Sequence, residues 1–189
     1  MKTREEWLEA AIIELSKTVF LGEKMPEVRV STGFTGSRNG NKAIGVCWSP
    51  LASIDNKAQL FISPIIDNSL RALDILAHEL CHAIVGNEHG HKGPFAKLAR
   101  KIGLEGKLTA TTAGPELLKR LNEVVKLLGP YPHSALTPSK SGVKKQGTRM
   151  IKCECGECGY TVRTVNKWLD VYGAPLCPCN EQPMTIEQK

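Results

Sequence analysis

LRALDILAHELCHAIV, residues 70–85, is the stretch of the sequence that is most informative about the fold. Its apolar residues recur at intervals of three and four, the period of a helix with one face on a protein core. The residues of this stripe are Leu70, Leu73, Ala77, Leu80 and Ile84. We therefore expect a buried helix over residues 70–85.

The second half of this helix reads His78-Glu79-Leu80-Cys81-His82. Residues four apart share a helix face, so His78 and His82 can bind one metal ion while Glu79 lies beside it. Zinc accepts neutral imidazoles, and a carboxylate next to a zinc site can take a proton from water. The alternative is a pair of ordinary core histidines, but burying these groups without a metal or partners would cost free energy. The pattern is typical of zinc metallopeptidases.

A catalytic zinc ion usually has three protein ligands and one open position, so a third ligand is expected after His82. The metzincin pattern requires a glycine and a histidine where this chain has Val85 and Glu88. The remaining candidates are a glutamate of a later helix, Glu105 or Glu116, and a histidine of the following turn, His89 or His91. Three glycines in that turn let the chain return towards the metal, and we therefore favour the histidines.

The string HELCHAIVGNEHGHKGPFAKLARKIGL, residues 78–104, resembles the SprT-like (Spartan-type) zinc metalloprotease family. Matched residue by residue, Gly90-His91-Lys92-Gly93-Pro94-Phe95 corresponds to a family segment whose histidine is the third zinc ligand, which implies His91. Residues 43–48 and 58–62 resemble the strands before the family's active-site helix. The resemblance extends into a C-terminal zinc ribbon and is nearest to small bacterial and phage-type members.

The predicted fold class is α+β. The resemblance implies a zincin-like catalytic domain at residues 1–129, with a small sheet packed on the active-site helix. Other helices are expected at residues 5–20, 93–102 and 115–128 from their apolar periodicity. Three prolines and a polar, basic run predict a linker over residues 130–148, followed by a zinc ribbon at residues 149–182.

The cysteine pattern predicts that ribbon. Cys155 and Cys158 form a C-x-x-C knuckle followed by glycine, and Cys177 and Cys179 follow at a spacing close to that of a ribbon. Four cysteines around one zinc ion make a closed, structural site. Because the second pair is C-x-C, Cys153 could replace one ligand. Disulfides in a secreted protein are disfavoured, since the acidic amphipathic N-terminus does not resemble a signal peptide.

The other two cysteines have apolar neighbours in the sequence: Cys47 lies between Val46 and Trp48, and Cys81 follows Leu80. Buried thiols commonly occupy such positions, so we expect both to pack in the core. A cysteine protease is a weaker interpretation, because it would leave Glu79 and the paired histidines without a role.

The charge pattern suggests a nucleic-acid partner. The net charge is +6, and five basic residues with no acidic one lie between Lys140 and Lys152. Such a linker, together with the ribbon, is predicted to contact single-stranded or duplex DNA, although plain solubility would explain it too. Tyr160 and Trp168 are expected to fill the small core of the ribbon rather than stack on bases. No apolar run reaches the length of a membrane span, and a cytoplasmic or nucleoid-associated protein is expected.

The predicted function is that of a zinc-dependent metalloendopeptidase of SprT-like type that acts on DNA-associated proteins. One zinc ion would be catalytic and one structural, with Glu79 as the general base. Residues 58–62 are expected to form an edge strand that pairs with the substrate backbone. Two alternatives remain: a metallopeptidase with no nucleic-acid role, and a non-catalytic protein that uses both zinc ions for structure and DNA binding.

Overall fold

A computed structural model describes residues 2–34, 43–140 and 150–187 of the chain. It is a mixed α+β structure, and the chain divides into two compact units, Met1–Ser139 and Lys140–Lys189. The described residues contain five α-helices and three small sheets. The α+β class is therefore confirmed at this level.

The first unit begins with helix α1, Arg4–Thr18. Thr3 and Glu6 form a capping box at its N-terminus, in which each side chain accepts a hydrogen bond from the other residue's backbone N–H. The helix buries Trp7, Leu8, Ala11 and Leu15 in the core. The sequence predicted this helix within two residues at each end, the usual uncertainty where helices fray.

The main sheet has three strands: β1, Val28–Thr32; β2, Gly45–Trp48; and β3, Ala58–Ile62. Their spatial order is β1-β3-β2, with β3 parallel to β1 and antiparallel to β2. Because β3 is hydrogen-bonded on both sides, it cannot accept a further strand. The prediction that residues 58–62 form an edge strand was therefore wrong.

Helix α2, Ser69–Val85, packs against this sheet and is capped by the Asn68 side chain, which accepts from the Arg71 N–H. Helix α3, Pro94–Ile102, begins with a proline, and helix α4, Pro115–Leu128, lies within the bounds expected from the sequence. The apolar faces of α1 to α4 and of the sheet form one continuous core. Packing on this core explains the nearly complete burial of α2.

Between α3 and α4 lies a hairpin that the sequence did not predict, formed by β4, Leu104–Lys107, and β5, Ala110–Ala113. Each strand is four residues long, and β4 contains a glycine and two charged side chains, so the sequence lacks the alternation of apolar and polar residues that indicates a strand. The hairpin contributes directly to the site described below.

The segment after α4 belongs to the first unit up to Ser139. Tyr131 is buried with its ring centroid 5.0 Å from that of Trp7, and the Leu136 N–H donates to the Pro64 carbonyl at 2.8 Å. Residues 130–139, assigned to the linker by sequence, are thus an ordered part of this unit. The remaining, basic part of the predicted linker, residues 141–148, lies outside the described residues.

The second unit contains strands β6, Met150–Glu154, β7, Thr161–Val165, and β8, Thr185–Ile186, in the order β7-β6-β8, with helix α5, Asn166–Tyr172, after β7. Its buried residues are Cys153, Cys155, Cys177 and Met184. Trp168 and Tyr160 are about half exposed, at 48% and 51%. The expectation that they fill this core was wrong, because sulfur atoms and Met184 occupy it instead.

Among the helices in the described parts of both units, none combines the length and the apolar character needed to cross a lipid bilayer.

Candidate active site and metal centres

Three histidine rings of the first unit converge on one point. His78 and His82 lie one turn apart on α2, and Nε2 of each is 3.2 Å from Nε2 of His91. A tetrahedral zinc ion with bonds of about 2.1 Å would hold its nitrogen ligands about 3.4 Å apart. The three imidazoles can therefore bind one such ion with little movement.

The turn after α2 selects His91 rather than His89. Gly86 ends the helix with φ +95° and Gly90 adopts φ +52°, conformations that favour glycine. Between them a short 3₁₀ turn, Asn87–His89, reverses the chain. His89 ends on the outside of this turn, exposed and 3.8 Å from Glu88, whereas His91 returns to the other two imidazoles.

Phe95 forms the apolar base of this cluster. It is completely buried at the start of α3, and its ring stacks on His82 with centroids 4.2 Å apart and planes inclined by 25°. The same ring meets His78 and His91 edge-on, each at 5.0 Å. Contact with all three imidazoles limits their rotation and shields one side of the cluster from water.

The two helical histidines are neutral at physiological pH. Burial, with the neighbouring imidazoles, lowers the pKa of His78 to about 4 and that of His82 to about 3. Burial also lowers the pKa of His91. Because a metal ion binds only the unprotonated ring nitrogen, these residues can bind it without first losing a proton near pH 7.

Glu79 lies beside the histidines and is 6% exposed. Burial raises the pKa of this carboxyl to about 8 without a metal, and a nearby cation would lower it. Strand β2 passes very close: a Cβ on Gly45 would stand 2.5 Å from Glu79 Oε1 and 2.5 Å from the Ile75 side chain. Glycine at position 45 therefore makes room for the carboxylate.

These residues line a cleft of about 620 Å³. The cleft is lined by residues 45–47 of β2, by His78, Glu79 and His82 of α2, and by residues 109–111. A cleft of this size and mixed lining is typical of a ligand-binding site.

The edge strand of the sheet at this cleft is β2. The Ser63 N–H donates to Ile44 O, so alternation along an antiparallel pair turns the backbone groups of Gly45 and Cys47 away from β3. The Cys47 carbonyl accepts from Asn87 Nδ2 at 2.5 Å. In the described ranges no strand pairs with this side of β2.

Sequence reasoning missed several residues that shape the site, above all Thr111 of β5. Thr111 Oγ1 lies 2.8 Å from Nδ1 of His78, and Arg71 and Asp74 of α2 lie near the same strand. Arg71, Asp74 and His78 are spaced by three and then four residues, so they lie on one face of the helix. This spacing could have indicated from the sequence that Arg71 and Asp74 lie near the site. No motif near residue 111 in the sequence indicates that this threonine contacts the site.

Cys47 and Cys81 are both buried, as expected. Burial raises the pKa of Cys47 to about 12 and raises that of Cys81 further. Both side chains are therefore thiols at neutral pH and lack the thiolate that a nucleophile requires.

The second unit brings together Cys155, Cys158, Cys177 and Cys179. Three of the Sγ–Sγ distances are 3.7, 3.5 and 3.4 Å, near the roughly 3.8 Å that a tetrahedral zinc ion with bonds of about 2.3 Å requires. The backbone N–H groups of Cys158 and Glu157 lower the pKa of Cys155 to about 7. Cys153 lies in the adjoining core and is not part of the cluster.

Comparisons of this chain with models of protein families, with curated proteins and with solved structures find no match.

Proposed function

We propose that the first unit is a zinc metalloendopeptidase of zincin type, related to the SprT-like family. One observation carries the proposal: three neutral imidazoles converge on one point of an open cleft, with a buried carboxylate beside them. A purely structural zinc site is normally closed by four protein ligands, whereas a catalytic one keeps a position open. Three imidazoles in a cleft fit the second description.

The chain's own groups have distinct roles in this proposal. A zinc ion, when bound, supplies a Lewis acid that polarises a peptide carbonyl and makes water more acidic. Glu79 accepts the proton of the attacking water and delivers it to the leaving amine. The open side of β2 hydrogen-bonds an extended substrate backbone at Gly45 and at the Cys47 N–H, which favours flexible segments over a particular sequence.

We further propose that the second unit binds single-stranded DNA, so that the substrates are DNA-associated proteins. The support is an exposed aromatic surface on α5: Trp168 stacks on Tyr172, with ring centroids 5.9 Å apart, and Lys167 Nζ lies 4.7 Å above the Trp168 ring. Tyr172 is 78% exposed. Exposed rings beside a cation suit stacked bases and a phosphate backbone. A metallopeptidase without a nucleic-acid role is the second candidate.

The hydrolytic role is tested with Glu79→Gln in the full chain. We expect the variant to retain zinc and to lose cleavage of a histone substrate, because only the proton acceptor is removed. Glu88→Gln, an exposed residue of the adjacent turn, is the control and should remain active. Cleavage by the Glu79→Gln protein at the wild-type rate would contradict the general-base role.

The DNA role is tested by histone cleavage with and without single-stranded DNA. We expect DNA to stimulate the wild-type protein and not a Trp168→Ala/Tyr172→Ala variant, since each lost stacking contact is worth roughly 1–3 kcal/mol. Val171→Ala removes an exposed side chain of the same helix that has no ring, and it should behave as wild type. Cleavage that is indifferent to DNA would favour the second candidate.

A further inference from the structure

Strand β5 contributes one hydroxyl group, that of Thr111, to the candidate metal site. Thr111 is 5% exposed, and its Oγ1 lies 2.8 Å from Nδ1 of His78. Nε2 of the same ring faces the other imidazoles, 3.2 Å from His91 Nε2. A neutral imidazole carries one proton, so a hydrogen bond donated from Nδ1 leaves Nε2 free to bind a metal.

Two charged residues of α2 hold β5 at this position. Arg71 Nη1 donates to the carbonyl oxygen of Thr111 at 3.3 Å, and it also forms an ion pair with Asp74. Asp74 is buried, and the backbone N–H of Ala113 approaches its carboxylate. The pair therefore lies against the backbone of β5 and forms a hydrogen bond with it at Thr111.

We propose that Thr111 is a positioning residue for the metal ligand His78. Its oxygen accepts a hydrogen bond from the Nδ1–H group, which keeps the proton on Nδ1 and leaves Nε2 unprotonated and directed at the point where the three imidazoles meet. The Arg71–Asp74 pair acts indirectly, because its hydrogen bond to the Thr111 backbone fixes the position of Thr111 next to His78. The proposal rests on the metal site of the first unit and does not depend on peptide hydrolysis.

Zinc affinity of the full chain tests this role. Thr111→Val keeps the shape of the side chain and removes the acceptor, and we expect the affinity of the first unit to fall by about 10- to 100-fold. Thr111→Ser restores the oxygen and should restore the affinity. Thr112→Val makes the same change at the neighbouring exposed residue and should have no effect.

The measurement is competition with a chelator at neutral pH. Zinc that is released only by a thiol-reactive reagent comes from the cysteine cluster and serves as an internal control, because it should be equal in all variants. A spectroscopic readout separates positioning from simple destabilisation. In zinc-loaded protein labelled with ¹⁵N-histidine, the Nδ1 proton of His78 should be protected from exchange in the wild type and in Thr111→Ser, and unprotected in Thr111→Val.

The role of the Arg71–Asp74 pair is tested by removing both charges together, with Arg71→Met and Asp74→Asn, so that neither charged group is left without its partner. We expect a smaller loss of affinity than with Thr111→Val. Combining all three changes should weaken binding no further than Thr111→Val does, because the residues act through one contact. Additive losses would overturn this part of the proposal.

Wild-type affinity in Thr111→Val, or an equal loss in Thr112→Val, would overturn the role of Thr111. If Thr111→Val does not fold, Thr111→Ala and Thr111→Ser decide the question: weak binding by the alanine variant alone supports the role, and tight binding by it refutes the role. A wild-type chain that binds zinc only at its cysteines would instead refute the metal site, and the proposed function with it.

Discussion

The charge on Glu79 should depend on whether a metal ion is bound beside it. In the folded chain without metal, burial raises the pKa of this carboxyl to about 8, well above the 4.5 of an exposed glutamate. The pKa values of His78 and His82 shift in the opposite direction, to about 4 and 3. The free site therefore opposes charge on all three side chains, which favours their neutral forms.

This residue predicts a pH dependence of the metal-free first unit. Above about pH 7 the histidines are mostly neutral in both folded and unfolded chains, whereas Glu79 is ionised in the unfolded chain and keeps its proton in the folded chain until about pH 8. The free energy of unfolding should therefore fall between about pH 7 and 8.5, by about 1 kcal/mol. Urea titrations with chelator present would measure it. Glu79→Gln should abolish the decrease, and an equal decrease in that variant would contradict this explanation.

At the scale of single residues, the sequence identified the side chains that converge in the cleft, but it did not identify the residues that contact and position them. The histidines and Glu79 lie within fourteen residues, and helix geometry alone brings most of them together. Thr111 lies 33 residues beyond His78, and its position depends on how β5 packs against α2. No local pattern carries that information.

At the scale of elements, the approach of β2 to α2 shapes the cleft. Gly45 lies where a side chain would collide with both Glu79 and Ile75. The strand can therefore lie against the helix with its outer edge open to the cleft. Assigning the edge to residues 58–62 was wrong because strand order depends on long-range pairing, and here β3 passes between the two earlier strands.

Gly45→Ala tests this approach. The added methyl group should displace the Glu79 carboxylate and lower kcat/KM for an unstructured protein substrate by roughly 10²-fold, the cost of about 1 Å of misplacement. Zinc content should be unchanged, since no histidine is touched. Gly33→Ala is the matched control, because its Cβ would meet only Phe61, at an ordinary 3.6 Å. Equal activity of the two variants would contradict a role for this contact.

At the scale of the whole molecule, the two units have cores of very different size, and we therefore expect their stability to depend on metal to different degrees. The first has a core that spans four helices and a sheet. Among the residues that the structure describes, the second buries four, and two of these, Cys155 and Cys177, belong to the candidate metal cluster. So small a core rarely stabilises a fold without a disulfide bond or a structural metal ion. The sequence predicted the four-cysteine cluster from its spacing, but the prediction for Trp168 was wrong, because cysteine side chains and Met184 fill the small core instead.

Removal of metal should therefore unfold the second unit and leave the first folded. Treatment with a strong chelator and a reductant, followed by ¹H–¹⁵N correlation spectra, should collapse the resonances of residues 150–187 and preserve the dispersion of α1 to α4. His78→Ala, which affects only the first site, should leave the spectrum of residues 150–187 unchanged before chelation. Persistent dispersion of β6, β7 and β8 without metal would contradict a structural role for the cysteine cluster.

The compact spacing of the three imidazoles also bears on the order in which the molecule assembles. An ion that joins residues 78 and 91 closes a short loop, which costs little chain entropy. A polypeptide emerging from the ribosome already carries every first-unit ligand once α2 and its turn have been synthesised. Metal binding would thus not need to wait for Thr111, and the later hairpin would then close over an ion that the nascent chain had already bound.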